Sequence, residues 1–230
     1  MITIPEIKNL LASRARQLAR LKQAELDKQK ADYVQLQRPD FLWHYLLQSF
    51  ATMGRAAGWH GLIGNKSNYD KLRFDVLAKL TPAARSSQVE STCRAAKIRM
   101  PGIKAGYVLK CFEQVQELGG LEAAKAKLLA QTGREAKIAF LKSFRGIGDK
   151  YARNIMMDVY HPDFRNSIAV DARIKTLSEK LGLSFGSYRE HEEFYLSVAR
   201  EAGLNGWELD RLIFNFQAEF LTVAAPSQEK

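Results

Sequence analysis

An all-α fold is predicted by three features of this 230-residue sequence. Most of it runs in long segments whose apolar positions recur near the 3.6-residue period of a helix. The period-two alternation of half-buried strands is nearly absent. Gly and Pro gather between the periodic segments, where they act as breaks. Apolar residues make up 46% of the chain, which is enough for a full core. The length suits one large domain or two small lobes sharing an interface.

Taken in order, residues 6–36 form a charged segment free of Gly and Pro, with Leu10, Leu11, Ala15, Leu18, Leu21 and Leu26 near helical spacing. It can lie along DNA or an anionic membrane, but the favoured reading is a solvated amphipathic helix packed on the body. Pro39-Asp40 starts an apolar helix through Phe41, Leu42, Tyr45, Leu46, Phe50 and Met53. The Gly-rich stretch 54–68 reads as loop with short turns. Helical patterns follow over 70–80, 82–97, 103–118 and 120–131, the last two parted by Gly119-Gly120. Further helices are predicted over 134–143, 149–159, 171–181, 187–202 and 206–222, with a loop over 161–167 and a frayed tail over 224–230.

Lys and Arg number 35 against 25 Asp and Glu, for a net charge of +10. A chain this basic usually meets a polyanion. Cys93 and Cys111 are too few for a disulfide framework and lack zinc spacing, so a reducing compartment is expected. No run approaches the ~20 apolar residues of a membrane span, and Met1–Pro5 shows no signal-peptide core. His191-Glu192-Glu193-Phe194-Tyr195 lacks the second His of a metalloprotease helix, and no Gly-rich run ends as a P-loop does. No metal site is expected.

The most informative segment is Gly146-Ile147-Gly148-Asp149-Lys150. Ile138, Leu141 and Phe144 line one face before it, and Ala152, Ile155, Met156 and Val159 line one face after it. Two helices joined by a Gly-hydrophobic-Gly turn direct backbone N–H groups at an anion, and the helix dipole adds to the attraction. Lys150 inside the second helix supplies an amine, though an ordinary solvated lysine fits the pattern too. Asp171, after Val170, supplies a carboxylate that is first of all an N-cap.

This Lys and Asp around a hairpin resemble the helix-hairpin-helix DNA glycosylases with the Gly/Pro…Asp signature, among them endonuclease III and the 8-oxoguanine glycosylases. Phe144-Arg145-Gly146-Ile147-Gly148-Asp149-Lys150-Tyr151-Ala152 carries Phe-Arg where many members carry Leu-Pro, and the basic residue is similar to the archaeal-type 8-oxoguanine enzymes. Arg99-Met100-Pro101-Gly102-Ile103-Lys104-Ala105, Leu118–Leu121 and Leu209–Phe216 are similar to other family segments, so the likeness covers roughly residues 40–222.

The resemblance implies two helical lobes, 1–54 with 164–230 and 55–163, the latter ending in the hairpin unit 134–159. It implies a glycosylase with AP-lyase activity on an oxidised base, 8-oxoguanine first, in double-stranded DNA. Lys150 would attack C1′ with a lowered pKa and Asp171 would support it. Arg145, Gly146 and Gly148 would hold DNA. Gln48 or Phe50 would fill the gap left by the extruded base, although Phe50 suits a core position equally well. Trp207 and Phe214 would line the base pocket. The family's four-Cys iron–sulfur loop is missing, since no Cys follows Asp171. The implied cofactor list is therefore empty, apart from a monovalent cation on the hairpin carbonyls. A monomer in the cytoplasm at the nucleoid, or in the nucleus, is expected. The alternatives are a monofunctional glycosylase for alkylated bases, with Asp171 working through water, and a non-catalytic DNA-binding protein on the same scaffold.

Overall fold

The computed structural model describes residues 3–224, so the expected fraying over 224–230 falls almost wholly outside it. Among the described residues there are fifteen α-helices, three short 3-10 helices and no strand. No helix is long and apolar enough to cross a membrane. The contacts group the chain into two units, Met1–Val34 with Met156–Lys230, and Gln35–Ile155. Residues 35–54 therefore group with the central segment and 156–163 with the terminal one.

The terminal unit is built on α1 (Ile4–Leu21). Its first turn is closed by a capping box: Glu6 N–H donates to Thr3 Oγ1 at 3.4 Å, and Thr3 N–H to Glu6 Oε2 at 2.7 Å. Ile7, Leu11, Ala15 and Leu18 are buried, and α1 packs on α13 (Tyr188–Ala202). Each buried Ile or Leu contributes roughly 1.5–3 kcal/mol. The single helix expected over 6–36 is broken. The chain leaves helical dihedrals at Lys22, continues as α2 (Gln23–Lys30) and ends in a 3-10 segment, Ala31–Gln37. Leu10, beside the buried Leu11, faces solvent, and the break re-phases the apolar stripe: Leu21 just before it is exposed, while Leu26 after it is buried. The unit also holds α12 (Ala172–Lys180), α14 (Gly206–Asn215) and α15 (Gln217–Leu221). The helix expected over 206–222 is likewise interrupted, at Phe216.

The central unit is built around α3 (Phe41–Thr52), whose Phe41, Leu42, Trp43, Tyr45, Leu46, Leu47 and Phe50 are all buried. A helix apolar nearly all round belongs inside, and α3 packs on α4 (Ala57–Leu62), α8 (Pro101–Glu117) and α9 (Leu121–Ala130). The Trp43 indole N–H is satisfied by the Leu72 carbonyl at 2.7 Å. The stretch 54–68 is more ordered than its glycines suggest, with α4 followed by α5 (Lys66–Lys71). Two of those glycines serve packing: a Cβ on Gly58 would sit 2.2 Å from the Ala51 carbonyl oxygen, and one on Gly61 2.0 Å from that of Ala96. The short α6 (Phe74–Ala78) follows, then α7 (Pro82–Ala95), which lies along α8, and α10 (Gly133–Lys142), which contacts α9. The boundary between the units falls within α11 (Asp149–Met157).

Candidate active site

The turn between α10 and α11 is anchored by apolar side chains. Phe144 and Ile147 are buried, 1% and 5% exposed, and Ile147 N–H closes the turn on the Phe144 carbonyl at 3.0 Å. Gly146 sits at φ +89°, and a Cβ there would lie 2.4 Å from Cδ2 of the Tyr107 ring of α8. Only glycine fits that position. Gly148 differs: it is exposed, and a Cβ there would meet no protein atom within 4 Å. Its carbonyl accepts Ala152 N–H at 2.9 Å, so Gly148 opens α11. The first N–H groups of a helix lack an internal acceptor, so the start of α11 beside the exposed Gly148 suits an oxyanion. Arg145 beside it is exposed. The Arg145 carbonyl receives the Cys111 thiol at 3.6 Å.

Lys150 stands in the first turn of α11, half-buried, with Nζ 3.9 Å from the centre of the Tyr151 ring. A ring face at that distance attracts a cationic amine. The neighbouring Asp149 is engaged elsewhere, with Lys142 Nζ at 2.7 Å and Arg153 Nη1 at 3.7 Å.

In the terminal unit Asp171 is the N-cap of α12. Its Oδ1 accepts Arg173 N–H at 2.9 Å and Ile174 N–H at 3.1 Å, and Oδ2 faces Arg173 Nη1 at 3.3 Å. The strand-like segment leading to it is held one amide at a time. Ile168 N–H donates to Glu192 Oε1 at 3.2 Å, Ala169 N–H to Asp210 Oδ1 at 2.8 Å and Val170 N–H to the Tyr188 hydroxyl at 2.9 Å. Glu192 and Asp210 are 2% and 4% exposed. Three consecutive amides fixed by three side chains leave little freedom in where Asp171 emerges. The sequence reading missed this clamp.

Two other expected residues are corrected. Phe50 is 1% exposed, with its ring 5.8 Å from that of Tyr107, so it is core and cannot serve as a wedge. Trp207 is 2% exposed, and its indole N–H is bound to the Met157 carbonyl at 2.7 Å, so it too is core. Phe214 remains 44% exposed, with the Arg173 guanidinium 4.0 Å above its ring, beside the Asp171 cap. Gln48 is half-buried on α3. His191, which headed the incomplete metalloprotease pattern, is stacked 4.3 Å from Phe185 and hydrogen-bonded to Ser178 Oγ. Among the described residues no group of three or more His, Cys, Asp and Glu could hold a metal ion. Burial pushes the Cys93 and Cys111 thiols up to about 12, which suits inert core positions.

A network near Asp40 was also not anticipated. The Tyr69 hydroxyl donates to Asp40 Oδ2 at 2.9 Å and so accepts from His44 Nδ1–H at 2.9 Å, while Arg38 grips Asp40 at 2.9 and 3.0 Å. Burial holds the His44 pKa down at about 4, so the ring is neutral at physiological pH.

No protein-family model matches the chain, and no curated protein matches it in sequence. Among solved structures it is similar to the crystal structure of the 8-oxoguanine DNA glycosylase of Methanocaldococcus jannaschii, with a TM-score of 0.65 and 14% sequence identity. The match covers 90% of this chain and 93% of that one. The chain thus has the all-α fold of a helix-hairpin-helix DNA glycosylase.

Proposed function

We propose that the protein is a DNA glycosylase with AP-lyase activity that removes 8-oxoguanine from double-stranded DNA, acting as a monomer. The observation that carries this reading is the amine of Lys150, two residues after an exposed Gly148 at the start of α11, on a fold shared with an 8-oxoguanine DNA glycosylase along 90% of the chain. The hairpin amides and Arg145 would hold a backbone phosphate. The neutral Lys150 amine would attack C1′, breaking the bond to the base, which leaves with its electron pair and gains a proton. Opening of the sugar ring then gives an imine between Nζ and C1′. Loss of a C2′ proton expels the 3′ phosphate, and water returns the lysine. Asp171 would stabilise the positive charge developing on the sugar and help move protons.

Borohydride trapping on a duplex with one 8-oxoguanine tests this directly. Wild type should become covalently attached to DNA, and Lys150→Gln should lose both trapping and strand cleavage while its affinity stays within a few-fold. Undiminished trapping in Lys150→Gln would remove the lysine assignment. Base release without trapping would favour the monofunctional enzyme working through Asp171 and water, and neither would leave a DNA-binding protein. A preference for thymine glycol or 3-methyladenine across a lesion panel would overturn the substrate assignment alone.

A further inference from the structure

A concavity of about 260 Å³ opens in the central unit, lined by Met53, Gly54, Arg99, Met100, Lys104 and Tyr151. That is several times the ~30 Å³ share of one liquid water. Lys104 is only 9% exposed, which is rare for a lysine without a counter-ion. Its Nζ lies 2.6 Å from the thioether sulfur of Met53 and 5.2 Å from the centre of the Tyr107 ring, and neither group carries negative charge. Among the described residues no carboxylate pairs with Lys104 or with Arg99. The Arg99 side chain is seated against Gly54, where a Cβ would come 2.7 Å from Arg99 Cδ and 2.8 Å from Nη1. Between them stands the start of α8, a 17-residue helix whose N-cap residue Met100, at φ 56°, makes no side-chain cap. Burial and the neighbouring Arg99 both push the Lys104 pKa down, as expected of two cations converging on a space that lacks a counter-charge.

We propose that this concavity is a phosphate-binding site in which Lys104, Arg99 and the first turn of α8 converge on one phosphate group. A buried ammonium, a guanidinium and an uncapped helix start each satisfy oxyanions, and together they offer charge, hydrogen bonds and dipole to the same small space. Tyr151, adjacent to Lys150 on α11, forms one wall, so the site lies beside the hairpin helix. Its use in gripping a second phosphate of a DNA backbone rests on the function proposed above; its chemistry does not. The phosphate can be a phosphodiester of duplex DNA or free inorganic phosphate.

Both sources are tested on the full chain. Binding of an undamaged duplex, measured by fluorescence anisotropy over a range of salt, should weaken roughly three- to tenfold in Arg99→Gln, with the salt slope reduced by about one. Lys104→Met, which keeps the buried volume, should act alike. Arg99 is exposed, so the first variant carries the test even if the second folds poorly. In parallel, inorganic phosphate at matched ionic strength should raise the melting temperature of wild type and not of Arg99→Gln. A DNA effect without a phosphate effect assigns the site to phosphodiesters, and a phosphate effect alone assigns it to free phosphate. Wild-type affinity and slope in both variants, with no phosphate response in wild type, overturn the proposal. If wild type itself ignores DNA, the proposed function fails, and the phosphate titration alone decides the site.

Discussion

Gly146 and Gly148 lie two positions apart in one turn, yet alanine at each should have opposite consequences. At Gly146 the backbone is at φ +89°, and an added Cβ would enter the Tyr107 ring at 2.4 Å. The left-handed conformation costs a non-glycine residue about 1–2 kcal/mol, and overpacking against the half-buried ring about 1–3 kcal/mol more. The expected loss of about 2–5 kcal/mol lowers the melting temperature by roughly 4–20 °C, at about 2–4 °C per kcal/mol for a chain of this size. At Gly148 the added methyl meets no protein atom within 4 Å, and the backbone is outside the left-handed region. There the restriction of the unfolded chain should stabilise by about 0.4–1 kcal/mol, so the melting temperature should hold or rise. Duplex affinity should nevertheless fall roughly tenfold or more, because the methyl occupies the approach of a phosphate to the helix start. Circular dichroism melts and anisotropy titrations of the two variants give both readouts. A Gly148→Ala protein with wild-type stability and wild-type affinity would refute phosphate binding at the hairpin. One that melts as early as Gly146→Ala would show that Gly148 is structural.

Asp171→Asn keeps an Oδ1 acceptor for the two amides, so its stability should change by less than about 1 kcal/mol while base excision falls by orders of magnitude; turnover near wild type would reduce Asp171 to its capping role. Duplex affinity should drop steeply with salt, and a salt-independent dissociation constant would point to a different partner altogether. His44 has a folded pKa of about 4 against an ordinary 6.5, so between these values the unfolded chain binds more protons and stability rises with pH. This contribution should be complete above about pH 6.5 and lost as pH falls towards 4. His44→Gln should flatten that part of the stability–pH curve, leaving a smaller slope from His191, whose pKa burial also lowers; an unchanged curve would rule out the His44–Tyr69–Asp40 network as its source.

The helices were legible wherever one apolar stripe ran unbroken between breakers. The predicted 82–97 and 187–202 differ from α7 and α13 by a residue or two at their ends. Period alone misled where a stripe changes phase inside a breaker-free segment. Nothing local marks Lys22, and the shift shows only in which leucines find a partner: Leu18 and Leu26 do, Leu21 does not. Composition misled over 54–68, because a glycine tolerated for close helix packing looks in sequence like one needed for a turn. Gly58 and Gly61 are of the first kind, Gly146 of the second.

The same distinction separates what could be read of the site from what could not. The hairpin and its lysine are contiguous in sequence, so their pattern survives without a structure. Wedge and pocket residues were chosen by chemical type, and aromatic type is a poor guide, since the features that let Phe50 or Trp207 stack on a base also make them good core residues. The clamp before Asp171 is the opposite case. Glu192 and Asp210 are carboxylates that spacing marks as solvated helix positions, yet each is buried because a backbone amide of 168–169 needs an acceptor. That demand arises from an irregular segment whose amides cannot bond within a helix, so the partners come from α13 and α14, far along the chain. A carboxylate buried on an amphipathic helix near an irregular segment is therefore better read as an amide acceptor than as a catalyst. By that measure Asp171 is set apart from Glu192 and Asp210: its cap occupies Oδ1, while Oδ2 faces, among the described residues, the exposed Arg173, which can move aside.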